Sequence, residues 1–168
     1  LTYTNERGLT FTRTIAVDND YLFTVSDQIA NDSGGAVALS GYGRITRIGT
    51  PRIEGFFILH EGLIGVTGTE GLQEIDYSEL ADKRLIQPGK SEDGWLGITD
   101  KYWAAALVPP SRQPFQPRYA FFDDTRLRYQ ADYLTDPILI EPGQPQTVKT
   151  LVFAGAKGTA VSAAYAEE

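Results

Sequence analysis

A histidine beside an acid is the pairing in this chain most able to do chemistry, and it occurs once, at His60-Glu61. A histidine and a carboxylate that converge on one substrate can share general acid/base work, for instance on a sugar ring. Neighbours along a strand point to opposite faces, so this pair is expected at a strand end beside a turn, without a catalytic role. A single histidine and no cysteine leave zinc without its preferred nitrogen and sulfur ligands. Asp18-Asn19-Asp20 and Asp123-Asp124 could attract calcium, but their spacing does not fit an EF-hand loop, and turn chemistry accounts for both. Gly62, Gly65, Gly68 and Gly71 recur every three residues, yet no lysine-serine or lysine-threonine follows to complete a phosphate loop. No serine stands in a nucleophile elbow. The expectation is no catalytic residue, no metal ligand, no cofactor-binding residue and no enzyme.

The most distinctive stretch carries both tryptophans: GWLGITDKYWAAALVPP, residues 94–110. Trp95, Gly97 and Thr99 fall on one strand face, Leu96 and Ile98 on the other. After the polar Asp100-Lys101, small alanines follow Trp103, the pattern of an interdigitated core. Few polar groups remain to orient a ligand, and a ligand site needs some. Pro109 and Pro110 cannot donate to a ladder, so the strand ends there. The reading is a central core strand, with Trp103 buried and without a ligand role.

The elements that would position these residues are strands. Leu9, Phe11, Ile15 and Val17 share one face of an alternating run over 9–17, and Tyr21, Phe23, Val25 and Ile29 continue the pattern. Turn signals at 18–20 and 31–35 divide residues 1–39 into a meander of strands at 1–5, 9–17, 21–30 and from 37 onward. A short apolar run at 55–60 reads as a buried strand. Strands follow at 63–67, 72–77, 119–122, 126–134, 138–140 and 146–153. The charged stretch 78–94, with Pro88-Gly89, reads as a loop holding one short strand. This many short strands punctuated by glycine and proline predict an antiparallel sandwich or a large folded sheet.

The 168 residues form one domain, able to bury a core without disulfide or metal support. The net charge of −7 argues against nucleic acid and anionic lipid as partners. No apolar run of 18 residues exists. The chain lacks methionine, so Leu1 is read as the start of a mature fragment or an excised piece. The tail, 154–168, is rich in alanine and carries Val161, Ala164 and Tyr165 at helical spacing. Its end, Glu167-Glu168, opposes the helix dipole and has no glycine cap, which suggests a helix cut short. The division is therefore a β-domain over 1–157 and a C-terminal helix over 158–168. A partner-binding patch is expected in the irregular 62–94 region or on the tail helix, with 112–118 a weaker candidate.

The same residues carry a family resemblance. GWLGITDKYWAAALVPP resembles a stretch of the large periplasmic domain of the YidC membrane protein insertases, the YidC/Oxa/Alb family. The opening LTYTNERGLTFTRT resembles that domain's first hairpin, and FILHEG (57–62) and IEPGQ (140–144) match further pieces in order. The resemblance implies an all-β, mainly antiparallel β-supersandwich of the galactose mutarotase kind, with a short C-terminal helix leading to a transmembrane segment. It implies a place on the periplasmic face of the inner membrane of a Gram-negative bacterium. It also implies a non-catalytic, chaperone-like role with the Sec translocon and nascent membrane proteins as partners. The rival class is a carbohydrate-binding or aldose-epimerase-like sandwich, which would want a second histidine.

Overall fold

In a computed structural model, described here for residues 1–52 and 60–157, the alternating runs form strands. They are β1 Thr2–Thr4, β2 Leu9–Val17, β3 Leu22–Asn31, β4 Val37–Leu39, β5 Tyr42–Ile48, β6 Gly62–Thr67 and β7 Gly71–Asp76. A helix, α1 Tyr77–Lys83, follows. Then come β8 Leu85–Ile86, β9 Gly94–Thr99, β10 Trp103–Val108, β11 Phe115–Phe122, β12 Arg128–Thr135, β13 Ile138–Ile140 and β14 Gln146–Ala156. An eight-stranded sheet runs β1-β2-β3-β14-β10-β9-β6-β7, a four-stranded sheet runs β5-β12-β11-β8, and β13 pairs β4. All of these pairings are antiparallel. The fold is the mainly antiparallel β-sandwich that alternation predicts.

Leu63, Ile75, Leu96, Ile98 and Leu107 of the large sheet meet Phe115, Tyr119, Tyr129, Ala131 and Tyr133 of the small sheet in one core. Aromatic rings fill most of the small sheet's share. Tyr77 lies edge-on to Tyr129 at 4.7 Å, and Phe115 edge-on to Tyr133 at 5.9 Å, the arrangement ring quadrupoles favour. Gly65 makes room for the Tyr119 hydroxyl, because a Cβ there would lie 2.2 Å from that oxygen. Pro117 is tolerated inside β11 because β8 reaches only Tyr119 and Ala120, so no β8 ladder bond is lost at Pro117.

Four strands cannot cover eight. One register row crosses the large sheet through Leu96, Leu107, Val152, Phe23 and Val17. Leu96 is fully buried, Leu107 is 5% exposed, Val152 and Phe23 are half-buried, and Val17 is 58% exposed. The face stays apolar while its cover runs out.

That boundary overturns one expectation. β10 is indeed an interior strand, but Trp103 is 65% exposed rather than buried. It shares Leu107's face, four residues on, yet stands at the tip of the β9–β10 hairpin opposite Ala156, outside the core cluster. A second expectation also changes. The stretch read as a loop over 78–94 opens with α1, whose Tyr77 and Leu80 are buried at helical spacing. Its Glu79 and Lys83 form an i,i+4 ion pair at 2.8 Å. The single short strand expected there is β8. The strand placed at 55–60 falls mostly, and the C-terminal helix wholly, outside the described residues.

Two consequences are measurable. In urea melts, Tyr119→Ala should cost about 3–5 kcal/mol as a large-to-small core change, whereas Trp103→Ala should cost under about 1 kcal/mol. Equal costs would contradict the placement of the core. Burial also pushes the Tyr77, Tyr119 and Tyr133 hydroxyls above the ordinary tyrosine range, and the Asp100 carboxylate adds to this at Tyr77. These groups stay neutral when folded, while the unfolded chain ionises near pH 10. Their contribution is intact below about pH 10 and is lost as pH rises above it. The melting temperature should fall across that range, and Tyr119→Phe should flatten the fall.

Candidate interaction site in the inter-sheet cleft

Where the small sheet stops short, a cleft of about 440 Å³ opens between the two sheets. β2, β3 and β14 supply one wall and the start of β5 the other. The first wall is laid down by register: Phe11 lies opposite Ile29, Arg13 opposite Asp27, and Val25 opposite Thr150. All point the same way because side chains repeat every second residue along a strand. Gly43 of β5, with the Tyr133 ring against it, faces this wall, while Tyr42 and Arg44 border the cleft and share the opposite face with Gln130 and Asp132.

The cleft's polar groups mostly satisfy one another. Arg13 grips Asp27 in a two-pronged pair, Nε to Oδ1 and Nη2 to Oδ2, both at 2.7 Å. The hydrogen bond to Asp27 raises the guanidinium's pKa further. The pair is partly open to solvent, so it contributes at most about 1 kcal/mol to stability, and it can exchange partners at little cost. The Tyr133 and Thr150 hydroxyls lie 3.2 Å apart. No histidine lines the cleft. The arrangement is an apolar trough with one exchangeable ion pair. It can hold an extended apolar chain or a ligand that competes for Arg13 or Asp27, and its described lining residues include no histidine–carboxylate pair for proton transfer.

The residues singled out in the sequence lie elsewhere. His60 Nε2 is 2.9 Å from the Leu63 carbonyl, and Nδ1 is 3.7 Å from Asp76. The ring's acidic neighbour in space is thus Asp76, at the end of β7, not Glu61. It ties the start of β6 to that end. Asp18 Oδ1 accepts the Asp20 and Leu22 amides at 2.8 and 3.0 Å, a turn as expected. Asp123 pairs with Arg84 and Asp124 with Arg128, and these partners hold both carboxyls below the usual carboxylate range, helped at Asp124 first by the Thr125 amide. Gly65 serves packing, as described above. Trp95, Gly97 and Thr99 stay within β9.

Sequence reasoning missed the Arg13–Asp27 pair. Its only trace is an opposite charge on each of two facing strands, visible once their register is known. It also missed a polar junction at the opposite end of the sheet. There the Tyr77 hydroxyl donates to Asp100 Oδ1 at 2.6 Å, and Arg47 Nε lies 2.9 Å from Asp100 Oδ2. Lys157 donates to the Asp100 carbonyl at 2.9 Å, and its amide to the Tyr102 carbonyl at 2.8 Å.

The family model of the YidC periplasmic domain matches residues 1–168. The chain is 60% identical over 168 residues to a membrane protein insertase YidC of Mesorhizobium japonicum, covering 100% of this chain and 28% of that protein. It is 55% identical over 157 residues to the one of Sinorhizobium medicae, covering 94% of this chain and 26% of that protein. It is 50% identical over 158 residues to the one of Brucella suis, covering 94% and 26%. The chain thus spans about a quarter of the length of these relatives. It belongs to the YidC periplasmic domain family.

Proposed function

We propose that the chain serves a membrane protein insertase on the periplasmic face of the inner membrane, as a non-catalytic interaction module. Its partners in this reading are nascent membrane proteins and components of the Sec translocon. The observation that carries it is the cleft: an apolar trough with one exchangeable ion pair and, among its described lining residues, no histidine–carboxylate pair. Such a surface suits brief contact with an extended apolar segment. The aldose-epimerase reading gains no support from this geometry, because His60 is committed to Leu63 and Asp76, away from the cleft.

The tail belongs to this reading. β14 ends at Ala156, opposite Trp103, at the end of the large sheet where Ile15 and Val17 of β2 are exposed. The proposed helix over 158–168 lays Val161, Ala164 and Tyr165 on the sandwich there and sets the domain's angle to the bilayer. Lys157, from which that helix would start, is held at its amide by the Tyr102 carbonyl and at its ammonium by the His60 and Asp100 carbonyls.

Three outcomes are expected. Fresh glucose or galactose should mutarotate no faster with the protein than without it in polarimetry; acceleration that His60→Ala abolishes would overturn the non-catalytic reading. Val25→Asp in the full-length insertase should fold normally by circular dichroism yet weaken growth of a depletion strain, and full growth would remove the cleft from the function. Deleting residues 158–168 should spare the fold but weaken insertase function. Full growth with a flexible linker of equal length in their place would show that the segment is only a tether.

A further inference from the structure

Among the described residues, the sandwich has two strand edges without a further neighbour on the side away from the cleft. β7 ends the large sheet and β8 ends the small one. Between them runs a groove of about 410 Å³, lined on one side by Leu72, Gln73, Glu74 and Ile75 and on the other by Ile86 and Pro88, with α1 at its rim. Consecutive residues of a strand point to opposite faces. A groove lined by four in a row therefore runs along the strand's edge, where the outward backbone N–H and C=O groups stand. β7 makes no backbone hydrogen bond among the described residues other than those to β6.

The groove's charge selects what could fill it. Glu70, Glu74 and Glu79 line it against the single cation Lys83, which is already paired with Glu79. Glu70 accepts the Gly89 amide, and Glu74 has no cationic partner among the described residues. Leu72, between them, is 60% exposed. A second copy of this chain brought edge to edge would set acid against acid, which opposes pairing. A partner strand with basic residues meets complementary charge instead.

We infer that the β7 edge receives an extended, lysine- or arginine-bearing polypeptide segment that adds a strand to the large sheet. Main-chain hydrogen bonds to β7 would supply affinity, Leu72 and Ile86 would take its apolar side chains, and Glu74 with Glu70 would select its cations. This site lies apart from the cleft and stands whether or not the insertase reading holds.

The test uses the chain of 168 residues and two synthetic peptides, one alternating lysine with valine and the other alternating glutamate with valine. Fluorescence anisotropy should show the lysine peptide binding and the glutamate peptide binding at least about tenfold more weakly, with affinity falling as salt rises. Hydrogen exchange should show protection gained at the amides of residues 72–76 when the lysine peptide is bound. Glu74→Lys, an exposed change that leaves the core untouched, should weaken binding about tenfold. Equal binding of both peptides, or protection elsewhere than β7, would overturn the inference. So would a dimer of the chain that protects β7 without peptide.

Discussion

A four-stranded sheet lies on an eight-stranded one, and the rest of this molecule follows from that inequality. The covered half of the large sheet carries the core. The uncovered half keeps the same alternating pattern, because β2, β3 and β14 must still pair with interior strands in register. Among the described residues the small sheet does not reach the far end of β2, so Val17 stands exposed in a row with buried Leu96 and Leu107, and Ile15 two residues before it is exposed as well. A lone sheet of this kind would invite aggregation. Here the Arg13–Asp27 pair breaks the apolar face with charge.

Polar junctions keep the two unequal layers aligned. Asp100 gathers α1, β5 and the β9–β10 turn through Tyr77 and Arg47, and Lys157 adds the end of β14 through the same residue's carbonyl. At the other end buried Asn31 donates to the Gly35 and Ile140 carbonyls and accepts from Ser33. It holds β3 against the small β4–β13 ribbon. On the outer face of the small sheet, Arg118 holds the buried Asp132 with two-pronged geometry. These junctions tie elements of both sheets together at each end of the sandwich.

The strands were legible because alternation is a local property: β2, β3, β13 and most of β14 fall where period-two patterning places them. Trp103 was not, because alternation tells which face a residue takes and says nothing of how far the opposing layer extends. α1 was hidden by its own charges. Tyr77 and Leu80 are its only buried residues, too small a stripe to stand out beside Pro88-Gly89. β11 was read short because Pro114 and Pro117 look like breakers until the absence of a neighbour at Pro117 is seen. The cleft was illegible for a related reason. Its walls come from residues more than a hundred positions apart, and only strand order brings Arg13 and Thr150 together.

The central claim is that the uncovered face of β2, β3 and β14 is where this domain meets its partners. Site-specific photo-crosslinking tests it most directly. A photoreactive side chain at Val25 in the full-length insertase faces the trough, while one at Thr24 faces the other side of the same strand. During insertion of a membrane protein in reconstituted vesicles, the account predicts adducts with the nascent chain or the translocon from position 25 and few from position 24. Adducts from position 24 alone, or equal yields from both, would contradict it.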